Sequence, residues 1–279
     1  MSIVKYTTDI HTAKPKHKIY LPKVGIRQFK IPLNLLRKDK KIQQVVASVS
    51  FYVDLKSKTR GTNMSRLPRL LYACIDSSIS IQFVKKILLE ASDFLESQNS
   101  YLKLRFVYPI LKKSPVSDNK AYEFYDCAIE AIYINKKFQY FLTVNVPYMS
   151  TCPCSAEGCE KLIKVKKIKA YPHAQRSNAE VTVEFKENNI VYIEDLVSMV
   201  EKAVKTIPYP ILKREDEYKV AEMSGKYQLF VEDAARVIAN VLNKDKRIID
   251  WCVVCNHYEQ IHTHDAVCIV FKGKRGGLR

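Results

Sequence analysis

The chain has 279 residues, 47% of them hydrophobic, with only 7 glycines and 11 prolines. That composition supports a packed core in one large or two ordinary domains and excludes a disordered or collagen-like chain. Lys and Arg number 46 against 29 Asp and Glu, a net charge of +17; the field attracts phosphate-bearing ligands but does not choose between a nucleotide, a nucleic acid and a lysine-rich solvated surface. No apolar run reaches the ~20 residues of a membrane span, and the N-terminal stretch carries no signal-peptide pattern. A cytoplasmic protein is therefore expected, with free thiols rather than disulfides among its eight cysteines.

In chain order, residues 1–18 are polar and basic without periodicity and read as a flexible basic arm. A short strand near Ile26 opens the fold. Val45, Ala47, Val49, Phe51, Val53 and Leu55 alternate with mostly polar neighbours, as in a half-buried strand that Arg60-Gly61-Thr62-Asn63 then breaks. Residues 65–76 and 80–95 have helical spacing, the second through Val84, Ile87, Leu88, Ala91 and Leu95, with Ser80 as its N-cap. Strands follow over 102–110, 125–134 and 138–148, the last two joined at Asn135-Lys136-Lys137 in a hairpin. Beyond them, 180–185 alternates as a strand, 193–204 and 230–242 are helical, and 247–256 and 265–272 are strands. The tail from Lys272 to Gly277 is expected to be mobile. Similar element order in 19–150 and 151–279 divides the chain into an N-terminal and a C-terminal half, without any residue-level repeat.

Residues suited to chemistry concentrate in the second half. Cys152-Pro153-Cys154-Ser155 closes a strand pattern, where a thiolate can face a metal; a buried structural cysteine is the plain alternative, and Ala156-Glu157-Gly158 before Cys159 reads as a loop. His173 stands just ahead of a strand, where a lone His is more often a surface or satisfied core residue than a ligand. Lys213-Arg214-Glu215-Asp216-Glu217 sets three carboxylates beside two cations, a charge run of the kind that is usually a solvated face. Glu259-Gln260-Ile261-His262-Thr263-His264-Asp265 holds four ionisable groups between apolar strands. Such groups suit metal binding or proton transfer, or else an exposed turn. If extended, His262 and His264 share one face. Cys252-Val253-Val254-Cys255 has CxxC spacing, but in a strand that spacing sends the thiols to opposite faces, so core cysteines are expected rather than a zinc ribbon.

Several motifs, taken in order, resemble the type IB GTP cyclohydrolases, a family that includes the archaeal enzymes of methanopterin synthesis. They are Val24-Gly25-Ile26-Arg27, Gly61-Thr62-Asn63-Met64-Ser65-Arg66, Cys152-Pro153-Cys154-Ser155 and His173 with Gln175-Arg176-Ser177. Leu212-Lys213-Arg214 through Asp216-Glu217, Phe230-Val231-Glu232-Asp233, and Glu259 with Ile261-His262 and His264-Asp265-Ala266 complete the set. The resemblance implies an α+β architecture of tandem tunnelling-fold (T-fold) halves, antiparallel sheets each carrying two helices. It also implies a homo-oligomer, dimer or tetramer, with active sites at subunit interfaces. A divalent metal, Fe2+ or Zn2+ with Mn2+ as a further option, is implied on Cys152, His173 and Glu217. Catalysis would involve Cys152, with Glu259, His262 and His264 moving protons. Glu232 would hold the guanine edge, where a carboxylate accepts from an N–H and an amino group. Arg66, Arg176, Lys213 and Arg214 would hold the triphosphate.

The implied reaction opens the imidazole ring of GTP by water attack at C8, releases C8 as formate and rearranges the ribose into a dihydroneopterin phosphate. The product is a triphosphate or a 2′,3′-cyclic phosphate, and the Lys-, Ile- and Tyr-rich composition leans towards the cyclic product of the archaeal branch. Asn63, Ala174 and Gln260 depart from residues common in the family, and 160–170 differs from its usual link between the Cys motif and the His. Two rivals remain. One is a T-fold nitrile reductase acting on a deazapurine, which uses a Cys nucleophile and a nicotinamide cofactor and needs no metal set. The other is a basic zinc-containing nucleic-acid-binding protein, favoured by charge and cysteine number and opposed by the split CxxC faces and the lack of an aromatic-basic motif.

Overall fold

The computed structural model describes residues 10–279 except 74, 76, 275, 276 and 279. The chain divides into two compact units: one runs to Phe106 and takes in Ala128–Tyr140, and the other comprises Val107–Cys127 and the chain from Phe141 onward.

The first unit holds β1 (Leu21–Leu36), β2 (Ile42–Leu55), α1 (Arg66–Tyr72), β3 (Ser78–Ile79) and α2 (Ile81–Phe94). It also takes in parts of β4 (Ser100–Lys113), β5 (Lys120–Ile134) and β6 (Lys137–Thr151). Its strand order is β3-β1-β2-β4-β5-β6. β1 is far longer than the short strand expected around Ile26, because Ile31, Leu33 and Leu35 continue its buried face. The alternating residues of β2 are buried as expected, from Val45 to Leu55.

At Gly25 of β1 a Cβ would stand 2.0 Å from the Phe51 carbonyl oxygen of β2; only glycine fits there. Ser80 caps α2 as its sequence position predicts, its hydroxyl accepting from the Phe83 N–H at 3.1 Å. α1 packs on α2, and the Ser100 hydroxyl of β4 donates to the Leu88 carbonyl at 2.9 Å. Asn135 and Lys136 both have positive φ, the conformation a two-residue turn between twisted strands requires. Residues 1–9 of the basic arm lie outside the described residues. From Ile10 the chain forms a short turn, and the N–H groups of Gly61 and Arg60 donate to the carbonyls of His11 and Ala13.

The second unit continues β4, β5 and β6 and adds α3 (Pro153–Lys166), β7 (Ala174–Phe185), α4 (Ile193–Val204) and α5 (Arg214–Lys226). α6 (Val231–Lys244), β8 (Ile248–His257) and β9 (Ala266–Phe271) complete it, in the strand order β4-β5-β6-β7-β8-β9. α4 and α6 are the two expected helices; their apolar stripes are buried, they pack on one another, and α6 covers β8 and β9. Tyr108 and Tyr125 tie α4 to the sheet by donating to Glu194 at 2.7 Å and Glu201 at 2.8 Å, and Lys112 pairs with the other Glu201 oxygen.

α3 and α5 correct two expectations. The supposed loop at 156–158 lies inside α3, which starts with Pro153 and is supported by the i,i+4 pairs Glu157–Lys161 and Glu160–Lys164. The charge run at 213–217 opens α5 instead of forming a wholly solvated face. Asp216 is fully buried there and accepts from the N–H groups of Val116, Ser117 and Lys213 and from the Ser117 hydroxyl. Burial pushes its carboxyl up, but these hydrogen bonds outweigh burial and hold it well below the usual carboxylate range. Just beyond the tail, the Leu278 N–H donates to Asp250 Oδ2 at 2.8 Å.

Candidate active site

Cys152 stands where β6 ends and α3 begins, with extended backbone angles. Its N–H donates to the His173 carbonyl at 3.2 Å, and the His173 N–H donates to Ser155 Oγ at 3.3 Å. The strand end and the approach to β7 are thereby fastened side by side. β7 then alternates: Gln175, Ser177 and Ala179 are buried while Ala174 and Arg176 are exposed.

Gln175 organises the centre of this region. Its Nε2 donates to Ser150 Oγ at 2.9 Å and to Glu259 Oε1 at 3.1 Å, and Ser150 is linked to Ser177 at 2.8 Å. Both amide hydrogens are thereby engaged, and Oε1 is the atom that faces His173 Nδ1, at 3.0 Å. A carbonyl oxygen only accepts, so the imidazole hydrogen sits on Nδ1 and the Nε2 lone pair is left for a ligand. The second Glu259 oxygen lies 3.6 Å from the same Nδ1. Glu259 is held near β7 because the Tyr258 N–H donates to the Arg176 carbonyl at 3.1 Å.

His262 and His264 lie in an exposed turn between β8 and β9 rather than on a strand, yet their rings stack at 4.9 Å. Glu217 is exposed on α5. Among the described residues, no group of three His, Cys, Asp or Glu side chains is positioned to hold a metal. The structure thus fastens Cys152 to His173 through the backbone and sets Glu259 beside the His173 ring, and among the described residues Glu217 forms no metal-holding group with them. Lys213 and Arg214 are exposed at the start of α5, and Glu232 is exposed in the first turn of α6, where it acts on the charge of His257 and Cys268. In the other unit, Arg66 opens α1, donates to the Phe94 carbonyl and lines an open cleft of about 350 Å³ with Arg69, Leu70, Ala73 and Phe94.

Gln175 and Ser177 entered the sequence reading only as members of a motif, with no role, and Ser150 did not enter it. Their signal lies in alternation: a Gln on the strand face that also carries Ala179, Val181 and Val183 is a buried polar group that must find partners. His257 is another such group. Its Nε2 lies 2.9 Å from the Tyr148 hydroxyl, and burial pushes it down to about 4 against the upward pull of Glu232. Cys252 and Cys255 fall on opposite faces of β8, as expected from their spacing, opposite Phe271 and Cys268 respectively.

Residues 7–268 match the sequence model of the family described as Type I GTP cyclohydrolase folE2. GTP cyclohydrolase FolE2 of Dinoroseobacter shibae is 35% identical over 258 residues, covering 92% of this chain and 70% of that protein. GTP cyclohydrolase FolE2 of Dictyoglomus thermophilum is 36% identical over 266 residues, covering 95% and 98%. Among solved structures, uricase from Arthrobacter globiformis superposes with a TM-score of 0.57 over 93% of this chain and 96% of that one, at 7% identity. That likeness concerns the fold alone, and it bears out the α+β tunnelling-fold architecture expected from the motifs. With most of its length matching the family model and its relatives, the chain belongs to the type I GTP cyclohydrolase folE2 family.

Proposed function

We propose that this protein is a metal-dependent GTP cyclohydrolase, acting as a homo-oligomer, dimer or tetramer. It opens the imidazole ring of GTP, releases formate and forms a dihydroneopterin phosphate for pterin synthesis. Given the family, the observation that carries this reading is the Gln175 network, which holds His173 with its Nε2 lone pair open beside Cys152 and Glu259. A thiol and an imidazole held by adjoining segments fit Zn2+ or Fe2+, and Mn2+ less closely; Glu217 is our candidate for the third donor. When bound, a divalent cation supplies the Lewis acidity that makes water nucleophilic near neutral pH.

The remaining groups orient the substrate and move protons. Glu259, fixed by the Gln175 amide and largely shielded from solvent, exchanges protons with the opening ring, and the stacked His262 and His264 pass them on. Glu232 accepts from the guanine N–H and amino group, while Arg176, Lys213, Arg214 and Arg66 meet the phosphates. Assembly of copies brings further residues to the Cys152–His173 pair.

Anaerobic incubation with GTP and Fe2+, Zn2+ or Mn2+ in turn tests class and metal together. Formate release is expected, and the product mass distinguishes a triphosphate from a 2′,3′-cyclic phosphate. Cys152→Ala should lose both bound metal and formate release; a variant with full activity would remove Cys152 from the site. Reduction of a deazapurine nitrile by a nicotinamide cofactor, without formate release, would replace this reading with the reductase.

A further inference from the structure

We propose that Cys255 and Cys268 form an oxidation site, a cross-strand thiol pair that a hydroperoxide converts to a disulfide. The two residues are direct partners in the antiparallel register of β8 and β9. Partners of this kind have Cα atoms about 4.5–5.5 Å apart, inside the roughly 4.4–6.8 Å range that disulfides span. Opposed positions put both side chains on one sheet face, the face that α6 covers. Both thiols are free. Cys255 is fully buried and Cys268 half-buried on β9, the last strand of its unit's order, so an oxidant reaches Cys268 first.

The chemistry closes in two steps. The Cys268 sulfur attacks the peroxide O–O bond and takes one oxygen as a sulfenic acid, while the other oxygen leaves as water. The Cys255 sulfur then displaces hydroxide from Cys268, forming the S–S bond and a second water. In total the two thiols lose two electrons and two protons, and the hydroperoxide gains them. Burial pushes the Cys255 thiol up to about 12 and raises Cys268 as well. The reaction is therefore slow, and it follows oxidation of the more accessible α3 cysteines.

The location gives the bond a consequence. The Cys255 thiol and the Tyr148 hydroxyl lie near enough to shift each other's charge, and that hydroxyl bonds His257 Nε2. Beyond the final register pair, His257 with Ala266, comes the turn that carries Glu259, His262 and His264. A disulfide staples the foot of that turn and withdraws the Cys255 thiol from Tyr148. The cross-link does not depend on the GTP reading, whereas any effect on turnover rests on it.

The test uses the reduced full-length protein exposed to hydrogen peroxide, blocked with iodoacetamide and digested without reductant. A peptide joining Cys255 to Cys268 is expected, lighter by two hydrogens and split by dithiothreitol, together with slower amide exchange over 258–265. Cys268→Ser should lose both signals; the wild-type measurement stands even if that variant fails to fold. Separate alkylation or separate oxidation of Cys255 and Cys268, once the α3 cysteines have reacted, would overturn the proposal. If the cross-link forms and formate release from GTP is unchanged, the pair is an oxidation site without influence on turnover. If no formate is released from GTP even by the reduced protein, the GTP reading fails and the cross-link result stands on its own.

Discussion

Gln175 spends both amide hydrogens on Ser150 and Glu259, so only its carbonyl oxygen remains for His173. Gln175→Met keeps the volume and apolar contacts of the buried side chain but removes the acceptor that fixes the imidazole hydrogen on Nδ1. Zn2+ affinity, measured by titration, should fall about 10–100-fold while the circular dichroism spectrum stays unchanged. Unchanged affinity would show that His173 needs no such partner. Cys152, His173 and Glu259 stand out as candidates from residue type and motif order. Gln175 belongs to the same motif as His173, but an uncharged amide carries no chemical signature of its own; the alternation of β7 is what places it inside.

Among the helices, those that bury an apolar stripe were readable and those that do not were missed. α2, α4 and α6 bury apolar residues at helical spacing, and their periodicity stands out in the sequence. α3 buries only Ala156 and α5 only Asp216, so neither leaves a stripe to detect. α5 depends on Asp216, since the N–H groups of Val116, Ser117 and Lys213 converge on this carboxylate. Asp216→Ala should therefore lower the melting temperature and remove hydrogen-exchange protection from α5 first, with α4 and α6 retained. Uniform loss of protection would mean that Asp216 supports the whole unit instead. At the β1–β2 contact, Gly25→Ala places a methyl group against backbone that has no slack. Overpacking of this kind costs about 1–3 kcal/mol, readable as a lower urea midpoint.

The stability of the molecule as a whole carries a proton linkage set by one buried imidazole. His257 is 2% exposed, bonded to Tyr148, and pushed down to about 4 by burial. The unfolded chain holds an ordinary histidine near 6.5, so between these values the unfolded state binds the proton and the folded state does not. The contribution of His257 is therefore complete above about pH 6.5 and is lost as the pH falls towards 4, amounting to about 3 kcal/mol at ~1.4 kcal/mol per pKa unit. The Asp216 carboxyl is held well below the usual range, so the loss it contributes falls at lower pH and leaves this window clear. His257→Gln keeps a donor for the Tyr148 hydroxyl and cannot titrate. Urea unfolding of both proteins from about pH 7 to about pH 4.5 should show the wild type losing stability faster than the variant as the pH falls. Parallel curves would mean that His257 takes up its proton without leaving the fold.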